Sequence, residues 1–374
     1  MTETRLFGSE AEAREFLDGF RHYENPPSVA PLKGDAAHEV AVGPVHAGVI
    51  EPGHFRFQCM GEDVYNLQIF LGYQHRGVEG KIVAADGNAA LQLALAETCA
   101  GDTSIAAATC ISEILESRDG SAPGAGAKAV RTVLLELERI ANHVGDLGAL
   151  AGDVAFLPTA SFCGRIRGDY LNMTALVCGN RFGRGAIVPG GARVTLDAPR
   201  REELAKRIAA AKKDLDGALK LMFEEPTVLE RLQGTGVVPR EVAEQIGLVG
   251  VARRASVELN GDVLSRAQVR RTEIEEAHAR IAAVLSGGAS RGEAEAKTSG
   301  KGDFQVVVAT AEAWRGPLVH AAMFGADGKM SAYRIVDPSA RNWPGLAWAL
   351  RGEQISNFPI CNKSFNLSYC GTDR

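Results

Sequence analysis

Between Ala127 and Leu150 apolar residues recur at Val130, Val133, Leu134, Leu137, Ile140, Ala141, Val144 and Leu147, the rhythm of a helix with one buried face. A helix of that length needs other surfaces to cover its stripe, and the neighbouring segments can supply them. Ala89 to Glu97 reads as a helix, and Ile105, Ala108, Ile111 and Leu115 form a second stripe. Residues 161–181, 200–223 and 262–285 continue the pattern, the last ended by Gly287 and Gly288. Strand patterns flank this helical stretch. His54 to Cys59 alternates, Gly61-Glu62-Asp63 turns, and Val64 to Leu71 returns with Tyr65, Leu67 and Ile69 on one face. Late in the chain Phe304–Thr310 is rich in valine, and Leu318–Phe324 and Met330–Val336 flank the turn Gly325-Ala326-Asp327-Gly328. A short amphipathic helix at 10–20, a surface loop at 291–303, a helix from Trp343 to about Asn357 and an extended tail complete the reading. The fold class is α+β, with a central bundle of long helices and antiparallel β hairpins near both ends. Residues 1–38 form a short N-terminal extension and residues 39–374 one domain.

The 374 residues carry a mildly acidic, well-mixed charge of −5. This argues against a nucleic-acid partner, which requires a basic face. No segment approaches the roughly 18 uninterrupted apolar residues of a membrane span, and the first twenty lack the layout of a signal peptide. The expected location is cytoplasmic. The seven cysteines are scattered with no Cys-x-x-Cys pair, unlike a disulfide framework or a local zinc site.

Several polar residues stand out. Arg139, Asn142, His143 and Asp146 share a stripe opposite the apolar face of the 127–150 helix, with Glu136 one turn earlier. On pattern alone this is a solvated face laced by i, i+3 and i, i+4 pairs. The sharper reading is a face toward a partner or cofactor, with His143 able to titrate near neutral pH. Tyr73-Gln74-His75-Arg76-Gly77 marks a strand-to-helix corner, Glu51-Pro52-Gly53-His54 a loop, and Glu312 to Gly316 a turn with an exposed arginine.

In series these segments are specific. Gly43-Pro44-Val45-His46, Glu51 to Arg56, His75-Arg76-Gly77-Val78-Glu79 and Glu136 to His143 come first. Pro189-Gly190-Gly191, Gly261-Asp262-Val263, Glu312 to Gly316, Arg341-Asn342-Trp343-Pro344 and Thr372-Asp373-Arg374 follow. Over about residues 40–374 the chain resembles the large subunit of membrane-bound, energy-converting nickel–iron hydrogenases and the hydrogenase-like subunit at the quinone-reducing end of respiratory complex I. The resemblance implies a hydrogenase large-subunit fold in an oxidoreductase complex, NADH–quinone oxidoreductase-like or hydrogenase-like. Electron transfer with quinone and NAD binding belongs to that implication. It also implies an iron–sulfur small subunit and membrane-arm subunits as partners, and a peripheral place on the cytoplasmic face of the inner membrane.

The departures are informative. Hydrogenases hold nickel and iron with four thiolates in two Cys-x-x-Cys motifs, soft ligands for such metals. The corresponding early motif is Cys99-Ala100-Gly101-Asp102, and the late one falls on Ser368-Tyr369-Cys370-Gly371 with Cys370 one residue off register. The degenerate ligand positions are therefore Cys99, Asp102, Ser368 and Gly371. No maturation tail is expected beyond Arg374. The resemblance implies no cofactor bound by this chain itself, an iron–sulfur cluster in the small subunit, and quinone as the candidate ligand of an emptied cavity. It implies that Arg76 and His143 sit near that cluster, with His75 beside them at the corner. It further implies that Glu51 carries protons with a raised pKa, that Arg315 overhangs the cavity, and that His46 lies in the quinone loop. The tyrosine that complex I has after His-Arg-Gly is missing between Lys81 and Leu95.

Overall fold

The computed structural model describes residues 1–48, 50–287 and 297–374. β1 (Thr2–Phe7) and α1 (Glu10–Asp18) open the chain, and β2 (Ala37–Val42), β3 (His54–Met60) and β4 (Asp63–Phe70) form an antiparallel three-stranded sheet. The helical section follows as α2 (Val78–Ala84), α3 (Ala89–Glu97), α4 (Ser104–Asp119), α5 (Ala125–Asp153) and α6 (Leu157–Cys178). A short hairpin of β5 (Ile187–Val188) and β6 (Gly191–Ala192) interrupts it. It resumes with α7 (Ala198–Glu224), α8 (Pro226–Leu232), α9 (Arg240–Gln245), α10 (Gly250–Glu258) and α11 (Val263–Leu285). Last come β7 (Lys297–Gly300), β8 (Phe304–Ala313), β9 (Gly316–Phe324), β10 (Met330–Val336), α12 (Ser339–Ala349), α13 (Phe358–Phe365) and α14 (Tyr369–Asp373). The architecture is α+β.

Two of the long helices, α7 and α11, begin where side chains satisfy their free amides. Asp197 accepts from the Arg200 amide at the start of α7, and Asp262 accepts from the Ser265 amide at the start of α11. At the end of α6, Gly179 takes the left-handed φ of 81° that stops a helix. α5 lies at the centre against α6 and α11, with Val130, Val133, Leu134, Leu137, Ile140, Val144 and Leu147 all fully buried. α4 connects the bundle to the second sheet by packing on β8 and β9.

That second sheet runs β10-β9-β8-β1-β7. β1, which the sequence reading leaves without structure, pairs antiparallel with β8 (Thr4 opposite Val307) and parallel with β7 (Thr4 opposite Thr298). The N-terminal segment is thus an internal strand of the C-terminal sheet, held there by α1, whose Ala13 and Leu17 pack with Val306, Ala321, Met323 and Ala332. Of the surface loop expected at 291–303, residues 291–296 lie outside the described residues, as does Gly288, while 297–300 are strand β7.

The C-terminal stretch also differs from the reading. The expected helix to Asn357 ends at Ala349 after carrying Pro344 internally, and the expected extended tail is the pair of short helices α13 and α14. Asn366, left-handed at φ 47°, closes α13, and Ser368 caps α14 by accepting from the Gly371 amide. The segment 226–258, which carries no stripe long enough to read, forms α8, α9 and α10.

Candidate functional site

The segment after Cys99 is linked to the C-terminal helices through Arg315. Asp102, just ahead of α4, receives two hydrogen bonds from Arg315: Nη1 to Oδ1 at 2.9 Å and Nη2 to Oδ2 at 2.8 Å. Arg315 lies in the β8–β9 turn, stacks its guanidinium 3.9 Å over the Trp314 ring, and donates Nε to the Asn366 carbonyl at 2.7 Å. Every guanidinium nitrogen is engaged, and the residue is buried. The turn reading of an exposed arginine is therefore corrected: the turn folds inward because Gly250 approaches so closely that a Cβ there would stand 2.1 Å from the Arg315 carbonyl. Burial opposes the charge on Asp102, but the adjacent guanidinium wins and holds its carboxyl below the usual range. Burial likewise opposes the charge on Arg315, and Asp102 holds it above the ordinary arginine value.

Cys99 and Cys370 lie buried or half-buried beside this pair. Burial pushes the Cys99 thiol up to about 12, reinforced by the charges of Asp337 and Cys370. Burial, with Glu51 next, pushes Cys370 to about 12 as well. Glu51 accepts from the Tyr369 amide at 3.3 Å, so Glu51 and Arg315 both bond to the 366–370 segment. The Ser368 hydroxyl accepts from the Gly371 amide at 2.9 Å and lies 3.6 Å from the Cys370 sulfur. A Cβ on Gly371 would stand 2.6 Å from Asp337 Oδ2 and 2.8 Å from Ser368 Oγ.

These donors do not fit a nickel–iron pair. Such a centre takes four thiolates, whereas the four positions offer one thiol, a carboxylate committed to Arg315, a hydroxyl capping a helix, and a glycine whose side-chain space Asp337 fills. Among the described residues no group of three or more histidines, cysteines, aspartates and glutamates could hold a metal ion.

The corner before α2 is tied to the C-terminus. Gly77 enters α2 in the left-handed conformation at φ 64°. His75 Nδ1 sits 2.8 Å from the Asp373 carbonyl, and the Asp373 carboxylate accepts from the Gly72 and Gln74 amides, both at 2.8 Å. Arg76 is exposed and donates to the carbonyls of Thr98 at 2.7 Å and Cys99 at 2.9 Å. His46 turns back onto the Gly53 carbonyl at 2.7 Å, closing its own loop.

The polar stripe of α5 is the largest departure from the pattern reading. It is not solvated: Glu136, Arg139, His143 and Asp146 are all buried, and Asn142 is half-buried. Arg139 Nε donates to Glu136 at 3.0 Å, Arg280 of α11 donates twice to Glu136 at 2.8 and 2.9 Å, and Arg270 of α11 donates to Asp146 at 2.9 Å. The stripe is polar because α11 presents a complementary charged face to it. His143 is fully buried, with Nε2 2.7 Å from Glu273 Oε2 and its ring 6.0 Å from Trp314 in an edge-on contact. Trp314 Nε1 in turn donates to the Asp102 carbonyl at 3.0 Å. His143 and Arg76 thus approach the 98–102 segment through different residues, one from inside and one from the surface. Asn142 adds a bond to the Asp102 carbonyl at 2.9 Å.

Glu273, Trp314, Asp337 and Glu138 belong to this site and escaped the sequence reading as functional residues. Glu273 lies 130 residues from His143 with no local signal beyond its three-residue spacing from Arg270. Glu138 caps α4 from α5, accepting from the Ile105 amide at 2.8 Å, and burial pushes its carboxyl up to about 8.

Comparisons with known proteins bear on the whole chain and not on this arrangement. The family described as respiratory-chain NADH dehydrogenase, 49 Kd subunit, matches residues 153–258. Hydrogenase-4 component G of Escherichia coli is 27% identical over 347 residues, covering 90% of this chain and 62% of that protein. NADH-quinone oxidoreductase subunit 4 of Thermus thermophilus is 28% identical over 246 residues, covering 65% of this chain and 58% of that protein. The chain therefore spans about three-fifths of these two relatives. A chain of the membrane-bound sulfane sulfur reductase, an archaeal respiratory membrane complex, superposes with a TM-score of 0.79 at 20% identity, covering 91% of this chain and 99% of that one. Among the described residues no helix is long and apolar enough to cross a membrane. The chain is thus similar in sequence to subunits of membrane-bound hydrogenases and of NADH-quinone oxidoreductase.

Proposed function

We propose that this chain is the hydrogenase-like subunit of a multi-subunit, membrane-associated redox complex, seated on an iron–sulfur small subunit and supporting electron transfer without a nickel–iron centre of its own. The observation that carries this reading is the ion pair between Asp102 and Arg315, which occupies the carboxylate standing at a ligand position. In this reading the chain packs against membrane-arm subunits on the cytoplasmic side. Arg76 and His143 then lie toward the partner's cluster, where a cation favours the reduced state and a histidine links reduction to proton uptake.

The test is a nickel and iron count on the complex purified from its host. Iron in the amount of the partner's clusters and no nickel is expected. Nickel at one per complex overturns the reading of Asp102, Ser368 and Gly371.

A second reading, a structural or coupling subunit with no chemistry, is favoured by the engagement of every Arg315 guanidinium nitrogen. A quinone near Glu51 and Arg315 would have to displace Asp102 from that guanidinium. Quinone reduction by the assembled complex separates the two readings. Lower activity in an Arg315→Ala complex supports a quinone site there, and unaltered activity removes Arg315 from one.

A further inference from the structure

We infer that Glu273 is the positioning residue of His143, fixing the imidazole as the Nε2–H tautomer and leaving Nδ1 as the atom that takes up a proton. The inference deepens the redox-linked reading of His143 and rests on it for its consequence, although the geometry stands by itself.

The Glu273 carboxylate is gripped from two neighbouring helices. Its Oε2 lies 2.7 Å from His143 Nε2 and 3.5 Å from Arg139 Nη1, both on α5, and its Oε1 accepts from Arg254 of α10 at 3.2 Å. Burial works against ionisation, but the hydrogen bond with His143 and the charges of Arg139 and Arg254 prevail and hold the carboxyl below the usual carboxylate range. An ionised carboxylate only accepts hydrogen bonds, so the short contact requires the proton to be on Nε2. The other ring nitrogen, Nδ1, is buried and has no hydrogen-bond partner among the described residues. It is the remaining basic atom of the ring.

The surroundings set when that atom takes a proton. Burial lowers the proton affinity of His143; Glu273 opposes this, and the charges of Arg270 on α11 and Arg139 on α5 add to it. From the β8–β9 turn the ring meets the uncharged Trp314, beyond which lies the Asp102–Arg315 pair. Asp146 on α5 is committed to Arg270. The imidazole is therefore neutral at pH 7, with one anion in contact to stabilise the imidazolium once additional negative charge arrives nearby. Glu273 is the residue that makes protonation attainable inside the bundle. Without it, the neighbours with a net effect on the ring are the two arginines.

The test uses the full chain with 15N-labelled histidine, the His143 signal being identified by its loss in His143→Gln. The expected wild-type spectrum shows the Nε2–H tautomer and a pKa below the ordinary histidine value. Glu273→Gln should redistribute the tautomer and lower the proton affinity at least about tenfold, since an adjacent opposite charge is lost. Glu273→Asp, which retains the charge, should restore much of both and guards against a merely misfolded variant. An Nδ1–H tautomer in the wild type, or an unchanged signal in Glu273→Gln, overturns the inference. The second measurement is the pH dependence of the partner cluster's midpoint potential in the assembled complex. If Glu273→Gln flattens it as His143→Gln does, both the positioning role and the redox reading are supported. A changed tautomer with an unchanged potential profile supports the positioning role and refutes the redox reading of His143.

Discussion

Asp102 and Arg315 form a pair with unequal surroundings, and that asymmetry gives a quantitative test. The Arg315 side chain is 7% exposed and the Asp102 side chain 35%. Asp102→Asn keeps the shape but leaves a guanidinium buried against a neutral amide. Breaking a buried pair costs about 3–5 kcal/mol, and solvent access on the Asp102 side places this variant near the lower end, about 3 kcal/mol. Arg315→Met leaves the carboxylate where water reaches it. Its cost is the lost hydrogen bonds to Asp102 and the Asn366 carbonyl and the stacking on Trp314, about 2 kcal/mol. The double variant should recover about 2 kcal/mol of the sum, the signature of two groups in direct contact. Urea unfolding of the full chain followed by fluorescence measures this. With a slope near 3 kcal/mol/M, Asp102→Asn should shift the midpoint down by about 1 M. Additive single costs, or an Asp102→Asn cost below that of Arg315→Met, would refute the picture of a buried cation sealed by a half-exposed anion.

Other variants test neighbouring features. Gly371→Ala places a Cβ 2.6 Å from Asp337 Oδ2, so it should cost about 1–3 kcal/mol in the same unfolding assay; an unaffected midpoint would show that Asp337 moves aside freely. Gly250→Ala sets a Cβ 2.1 Å from the Arg315 carbonyl at a positive φ. It should destabilise by about 3 kcal/mol and raise amide exchange across the β8–β9 turn. Acid should weaken the fold through its buried histidines. Burial lowers His278 from 6.5 to about 4 and His320 to about 3. The unfolded chain binds protons there before the folded one does, so the stabilisation is present above pH 6.5 and lost as pH falls toward 4. His278 alone accounts for about 3 kcal/mol over that interval. A His278→Gln chain should show a visibly flatter stability profile between pH 6.5 and 4, and an unchanged profile rules out this source.

Much of the scaffold was legible because the physics that writes it is local. The apolar stripe of α5 stands at helical spacing, and the β3–β4 and β9–β10 hairpins follow from alternation around glycine-bearing turns. What stayed hidden depends on partners distant in sequence. β1 carries no signal of its own because its pairing is with β8, some three hundred residues later. The α5 stripe reads as solvated because Glu136, Arg139 and Asp146 look the same whether water or α11 satisfies them, and the arginines that do so, Arg270 and Arg280, sit on a helix whose own pattern looks ordinary. Arg315 reads as exposed because the glycine that draws its turn inward is Gly250, in another element. At the site, the departures from Cys-x-x-Cys spacing at Asp102, Ser368 and Gly371 were visible in the sequence. The neighbours that engage the site were not, since Asp337 beside Gly371 and Glu273 beside His143 have no motif around them.

The contacts around Asp102 suggest how such a chain holds together once its ligand positions have changed. In the proposed reading, the family's metal would join the segment at 99–102 to the segment at 368–371. Here the first segment is joined to the chain just ahead of the second by the protein itself. Arg315 spans them, binding the Asp102 carboxylate with one end and the Asn366 carbonyl with Nε. The carbonyls of Thr98, Cys99 and Asp102 collect donors from Arg76, Trp314 and Asn142, which brings the β4–α2 corner, the β8–β9 turn and α5 to one stretch of backbone. From the other side Asn366 also donates to Asp146, which is held by Arg270 of α11. Of these donors Arg315 is both charged and buried, so its connection is the costliest to leave unmade. In the proposed reading, the geometry of the segment facing the partner cluster is thus set by one ion pair and by hydrogen bonds within the chain.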